Sequence, residues 1–250
     1  MPDAVILAGG SQEGEIEKKF GVLNRALLVI RGKFMVEYVI EALKNTSSVG
    51  RVIIVGPVDV LRARIGSKVD AVVPPGEDPF ESTLQGLKAL GVHEKVLVAT
   101  SDLPLLRSEM ISDFFARCEE TEADFYYPIV RKEVYQAKIG EGERTFVRVK
   151  EGCFTGGNLL FLDPKVVEAK SNWIARVVAN RKNPLAIARL LGIKVILKFL
   201  FRRLSIQDVE ERVEKVLGMR GRAIITPYAE IGFDVDRPEH VSIAEKLLSE

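Results

Sequence analysis

Ala4-Val5-Ile6-Leu7-Ala8-Gly9-Gly10 starts with four apolar residues and ends in a run with no side chain beyond a methyl. The apolar part reads as a buried strand. A strand that ends in bare backbone lets main-chain N–H groups approach a phosphate or a base closely. A turn after any strand of a parallel sheet also takes glycine, so the glycines alone leave both readings open.

Working outward, residues 96–104 form a second decisive stretch, Val-Leu-Val-Ala-Thr-Ser-Asp-Leu-Pro. An apolar strand delivers Asp102 at its carboxyl end, where open parallel sheets bind ligands, and Pro104 stops the strand. A third stretch is Gly232-Phe233-Asp234-Val235-Asp236-Arg237-Pro238-Glu239. Its two acids alternate on one face of a predicted short strand, and Pro238 then starts a helix.

Between these stretches, strand-like runs at 51–55, 70–73 and 95–100 alternate with helix-like runs at 34–43, 57–65, 79–90 and 107–120. That alternation predicts parallel strands joined by helical crossovers. After Ala123 the pattern changes. Runs at 125–130, 134–139, 145–149 and 158–162 read as strands without helices between them, which predicts an antiparallel extension of the sheet. Residues 164–217 read as helices, with Ser205-Ile206-Gln207-Asp208 matching a capping box. Strands at 219–225 and 231–235 and a helix at 238–248 complete the reading. The expectation is one α/β domain over residues 1–250 with a helical insertion at about 164–217.

The chain is 47% hydrophobic and 28% charged, an ordinary globular profile. No run reaches the roughly 18–20 apolar residues of a spanning helix, and no signal peptide is legible, so a cytoplasmic protein is expected. Cys118 and Cys153 are too few for a disulfide framework and fit a reducing compartment, with a single bridge left open. His93 and His240 stand alone, read as surface or helix-end residues, and give no zinc spacing.

Net charge is +1, yet nine of the 36 basic residues and none of the 35 acids lie between Glu168 and Asp208. Within this stretch, Val195-Ile196-Leu197-Lys198-Phe199-Leu200-Phe201-Arg202-Arg203 is both apolar and basic. Residues 170–207 therefore read as a packed helical pair, an oligomer contact or lid, or a surface for an anionic partner such as a membrane. Near-neutral charge and few aromatics there disfavour nucleic acid.

Five segments carry a resemblance in a fixed order: LAGG at 7–10, NRALLVIRGKFMVEYVIEAL at 24–43, TSDLPLL at 100–106, TGGNLLFL at 155–162 and FDVDRPEHV at 233–241. Together they resemble the MobA-like NTP transferases, a superfamily that includes sugar-phosphate nucleotidyltransferases and cytidylyltransferases. The resemblance implies a three-layer, Rossmann-like (GT-A-like) α/β fold. It also implies Mg2+-dependent transfer of NMP from an NTP to a small acceptor, phosphorylated or molybdopterin-like, with release of pyrophosphate.

By the same resemblance, Leu7, Ala8, Gly9, Gly10, Gly76 and Ser82 meet the nucleotide. Arg25 takes the place of a phosphate-gripping Lys. Asp102 holds Mg2+, and Asp236, or alternatively Asp234, supplies a second metal contact. Gly157 and Asn158 face the acceptor. Arg144 and Lys150 are basic residues that could meet an anionic acceptor.

One departure concerns the loop after the glycines. The family's Arg is absent there, and Ser11-Gln12-Glu13-Gly14-Glu15-Ile16-Glu17-Lys18-Lys19 stands instead, with Lys18 or Lys19 as substitutes. The alternatives are a nucleotide-binding homologue without catalysis and a nucleotide-sugar glycosyltransferase. Thr100-Ser101-Asp102-Leu103 lacks the Asp-X-Asp expected of the latter.

Overall fold

Leu7 and Thr100 are register partners at the carboxyl ends of two neighbouring parallel strands, β1 (Ala4–Leu7) and β6 (Val96–Thr100). The computed structural model that shows this describes residues 1–9, 14–92, 94–140, 144–169 and 192–249. After β1 come α1 (Glu15–Phe20), a 3-10 turn at Arg25–Leu27, the hairpin β2 (Val29–Ile30) and β3 (Lys33–Phe34), and α2 (Met35–Lys44). β4 (Val52–Val55), α3 (Val58–Ile65), β5 (Ala71–Val73) and α4 (Pro79–Leu90) lead to β6, then α5 (Ser108–Glu119).

The second half holds β7 (Phe125–Arg131), α6 (Lys132–Ile139), β8 (Val147–Val149), β9 (Gly152–Gly156), β10 (Leu159–Leu162) and α7 (Pro164–Ala169). The described chain resumes with α8 (Ile193–Leu200), α9 (Ile206–Leu217) and β11 (Gly221–Thr226). A 3-10 turn at Ala229–Gly232 and α10 (Pro238–Leu247) follow.

Among the described residues, the main sheet has nine strands in the order β5-β4-β1-β6-β10-β7-β9-β8, with β11 parallel to β7. β5, β4, β1 and β6 are parallel, while β10 runs antiparallel to β6 and β7, as do β9 to β7 and β8 to β9. This is the expected mostly parallel sheet with an antiparallel extension. The chain leaves β1 toward β4 and β5 and returns on the other side as β6. The carboxyl ends of β1 and β6 therefore flank a topological switch point, where loops part and leave a crevice.

Side-chain alternation builds the layers. Ala4 and Ile6 of β1 enter one core with Val36, Leu43 and Phe114, while Val5 enters the opposite core with Phe80 and Leu87. Both faces are covered, which is why β1, β4 and β6 are apolar along nearly their whole length. A third cluster, with Ile16, Leu28, Met35, Tyr135, Phe233 and Val235, underlies the carboxyl end of the sheet.

Two expectations are corrected. Residues 134–139 form part of α6 and not a strand. Val134, Tyr135 and Ile139 lie close enough in helical spacing to share one face on the third cluster, and Gly140 at φ 102° ends the turn. Residues 231–235 are also not a strand. Ala229–Gly232 turns as a 3-10 segment, and in the extended chain after it the Val235 N–H donates to the Asp102 carbonyl at 2.9 Å.

The capping box is present. Ser205 Oγ accepts from the Asp208 N–H at 3.1 Å, and Asp208 accepts from the Ser205 N–H at 3.0 Å. No helix among the described residues is long and apolar enough to cross a membrane. Cys118 and Cys153 are free thiols, and burial pushes the Cys118 thiol up to about 12.

Candidate active site

The loop after β1 forms the first wall. Ala8 is buried, and its N–H is tied to the Val55 carbonyl at 2.8 Å. Among the described residues, a Cβ on Gly9 would meet only Pro75 Cβ at 3.4 Å and Ser82 Oγ at 3.5 Å, both ordinary contacts. Packing by the described residues therefore does not by itself demand glycine here, which suits close approach by a ligand. Gly76 is different. A Cβ there would lie 2.3 Å from Glu81 Cβ, so its glycine is explained by the tight approach to α4.

Ser82 is buried and accepts from the Gly76 N–H at 3.1 Å. It does not cap α4, because Asp78 does so through the Glu81 N–H at 2.8 Å. Gly9, Pro75, Gly76 and Ser82 thus lie together. Leu7 ends β1 beside them, and its carbonyl accepts from the Ser101 N–H at 3.0 Å. Gly10 lies outside the described residues.

Asn24, to which the sequence assigned no role, connects this wall to the charged centre. Its buried amide donates to the Ala8 carbonyl at 2.8 Å, while its Oδ1 accepts from the Ala26 N–H at 2.9 Å. One side chain thereby fixes both the glycine loop and the 3-10 turn that carries Arg25. The legible signal was an Asn directly before a helical turn, a preferred cap.

Arg25 Nη2 lies 3.4 Å from Asp102 Oδ2. Asp102 is only 4% exposed, and its Oδ1 is buried without a hydrogen-bond partner among the described residues. Burial pushes the Asp102 carboxyl above its ordinary value. Arg25 opposes the shift, and the negative charge of Asp234 adds to it. Asp102 does not cap a helix, since α5 starts at Ser108 with Arg107 as its N-cap. A buried carboxylate with an orphaned oxygen and a second carboxylate within electrostatic reach is a hard-oxygen donor set. Mg2+ fits it, because that ion takes one or two carboxylates together with phosphate oxygens. No group of three or more His, Cys, Asp or Glu side chains that could hold a metal ion occurs among the described residues.

The two late acids diverge. Asp234 Oδ1 accepts from Arg144 Nη1 and from Asn158 Nδ2, the latter at 3.3 Å. Asp236 Oδ1 lies 3.0 Å from His240 Nδ1, whose contact with the Asp234 carbonyl is also 3.0 Å. His240 is no solvated surface residue. It packs against Phe233 and holds the turn between the acids, and Asp236 keeps its imidazole above the ordinary histidine range. The signal was its place four residues beyond Asp236, at the start of α10.

Asn158 stands at the entry to β10. Its N–H donates to the Ile231 carbonyl at 3.0 Å, and its carbonyl accepts from the Thr100 N–H at 3.3 Å. Gly157 is buried. A Cβ there would lie 2.8 Å from Ile231 Cγ2, so packing accounts for that glycine. Arg144 donates to Thr155 Oγ1 and to the Gly156 carbonyl, completing a wall with Asn158 and Asp234. Lys18 and Lys19 are exposed on α1, with Lys19 over the Phe20 ring. Lys150 is exposed just beyond β8, where its N–H donates to the Leu204 carbonyl at 2.8 Å.

Of residues 170–207, those from 170 to 191 lie outside the described residues. In the remainder, Val195 packs with Leu204, while Leu197, Leu200 and Phe201 are exposed large apolar side chains.

A glycine loop beyond β1, an Arg on the turn that faces it, and a buried Asp at the end of β6 beside a second acid define a nucleotidyltransferase of Rossmann-like form. Residues 4–182 match the model of the MobA-like NTP transferase domain, and the chain belongs to that family. A structure described as a hypothetical transferase from Thermus thermophilus is 40% identical, with TM-score 0.84, covering 96% of this chain and 99% of that one.

Two more distant structures share the fold at 13% identity. The 4-diphosphocytidyl-2C-methyl-D-erythritol synthase of Anaerococcus prevotii has TM-score 0.61, and a CMP:2-keto-3-deoxy-manno-octonic acid synthetase complexed with CTP has 0.62. Each covers 100% of this chain and 99% of its own. No functionally curated protein matches.

Proposed function

We propose that this chain transfers an NMP unit from an NTP to a small acceptor, using Mg2+ and releasing pyrophosphate. The observation that carries the reading is Asp102: a buried carboxylate at the switch point, with one oxygen toward Arg25 and the other without a partner among the described residues. An acceptor oxygen attacks the α-phosphorus, the bond to the bridging oxygen of the β-phosphate breaks, and pyrophosphate leaves with that electron pair.

The chain's part is positioning and charge. The loop at Ala8 and Gly9, with Ser82 beside it, receives the nucleotide. Arg25, fixed by Asn24, grips the phosphates in the manner of a fork. Asp102 and Asp234 are the residues that would hold Mg2+. When bound there, Mg2+ supplies neutralisation of charge on the α-phosphate and the leaving pyrophosphate. Asn158 offers both a donor and an acceptor to the incoming substrate.

The fold is read as one domain with a helical insertion at about 164–217, in a cytoplasmic protein. Contact with a membrane surface or a second copy through 170–207 is supported by the exposed Leu200 and Phe201 beside Arg202 and Arg203. Flotation with anionic liposomes tests the membrane form.

A thermal-shift screen of the four NTPs, each with and without Mg2+, tests the main reading. One NTP should stabilise the protein only with Mg2+. Pyrophosphate release from that NTP with candidate acceptors then tests turnover. No stabilisation by any Mg2+–NTP pair would remove the reading.

A further inference from the structure

Arg144 is held by contacts of two kinds. Its Nε donates to Thr155 Oγ1 at 3.0 Å and its Nη2 to the Gly156 carbonyl at 2.9 Å. Its Nη1 donates to Asp234 Oδ1. The Tyr135 ring lies 5.7 Å from the guanidinium centre, and the Arg144 side chain is 20% exposed. The two neutral anchors belong to β9 and do not depend on Asp234. The guanidinium can therefore give up the carboxylate without leaving its place.

Its charge has two consequences. A fixed positive charge on Asp234 repels a divalent cation that arrives alone. Once Asp234 turns to a cation, Nη1 becomes a donor in the wall that also contains Asn158. A guanidinium with such a donor suits a phosphate or carboxylate oxygen.

We propose that Arg144 is an exchangeable counter-ion that neutralises Asp234 in the ligand-free protein and passes its Nη1 donor to an anionic group of the acceptor when a divalent cation occupies Asp234. The inference rests on the assignment of Asp234 to the cation under the proposed function. It makes the acceptor an anion, recognised through phosphate or carboxylate. It also couples cation and acceptor anion, so that each tightens the other.

The test is Mn2+ binding to the full chain, followed by electron paramagnetic resonance without nucleotide. Wild type, Arg144→Lys and Arg144→Ala are each measured alone, with inorganic phosphate and with acetate. Circular dichroism checks the fold. Wild type should bind bare Mn2+ weakly and gain severalfold with one of the anions. Phosphate alone would indicate a phosphate ester, and acetate a carboxylate.

Arg144→Ala should bind bare Mn2+ on the order of tenfold more tightly, and its affinity should not respond to either anion. Arg144→Lys should keep the weak bare binding, because the charge stays, and lose most of the anion response. Unchanged or weaker Mn2+ affinity in folded Arg144→Ala overturns the exchange, as does an anion response that persists there. If wild type binds no Mn2+ even with the four NTPs, the proposed function fails first and this inference fails with it. Mn2+ binding that is indifferent to position 144 removes the inference alone.

Discussion

Arg25 Nη2 stands 3.4 Å from Asp102 Oδ2, while Oδ1 of the same carboxylate is buried without a partner among the described residues. The arrangement costs stability, because burial outweighs the attraction of Arg25 and raises the carboxyl's pKa. Between the ordinary value of 3.8 and the raised one, the native state binds the proton more tightly than the unfolded chain. Stability therefore falls as pH rises through that window. Asp102→Asn keeps the shape and removes the charge. It should raise stability at pH 7 by on the order of 1 kcal/mol, with the gain vanishing below the ordinary carboxylate range, while Mg2+-dependent NTP binding is lost. Urea unfolding at both pH values and calorimetric titration check the two halves. A variant that binds Mg2+–NTP normally would end the assignment of Asp102.

Arg25→Ala should weaken NTP binding by about 1.5–3 kcal/mol, the range for hydrogen bonds to charged groups. The residue sits on a turn whose geometry is set by Asn24, so the loss reports on phosphate contact and not on folding of the loop. Isothermal titration with the NTP that gives the largest thermal shift measures it. Unaltered affinity would move the phosphate contact elsewhere.

Asp208 gives a pH dependence remote from the site. Lys198 and the Ser205 N–H hold its carboxyl down to about 2, from an ordinary 3.8. A depressed carboxylate contributes stability that is fully present above the unfolded value and is lost as pH falls through the folded one. The Lys198 side chain is half exposed, so water screens the pair. Asp208→Asn should therefore cost about 0.5–1 kcal/mol at pH 7. The two stability curves should converge near pH 2. A gap of the same size at both ends of that range would mean that charge is not the cause.

The apolar runs at β1, β4 and β6 were legible because strands covered on both faces leave little room for polar residues. Asp102 was legible because the run that carries it ends at Pro104. The Ser205 box could be read because its partners are three residues apart and need no tertiary contact. What escaped depends on distance along the chain. Val134 and Tyr135 favour strands by type, yet a shared face against Phe233 makes them helical. Asn24 gains its role only when Ala8 is brought to it. The fork of Arg144 is defined by Thr155, Gly156 and Asp234, none of which is near it in sequence.

The choice between Asp234 and Asp236 illustrates the same point and yields the last prediction. Two acids spaced by one residue share a face only if the segment is a regular strand, and here a 3-10 turn precedes an extended segment cross-linked through Val235. Asp234 consequently meets Arg144 and Asn158 and acts on the Asp102 charge, whereas Asp236 meets His240. Asp234→Ala should raise the Mg2+ concentration needed for NTP binding by at least about tenfold, the loss expected when a ligating carboxylate or its support is removed. Asp236→Ala should change that requirement less and should cost stability instead, most at pH values below the His240 titration. There the protonated imidazole gains from the carboxylate, since a histidine raised in the folded state stabilises it until pH passes the raised value. Magnesium titrations of NTP binding, paired with urea unfolding at pH 6 and pH 9, separate the two residues. A larger magnesium defect in Asp236→Ala than in Asp234→Ala would reverse the assignment and place the cation on the His240 side of the turn.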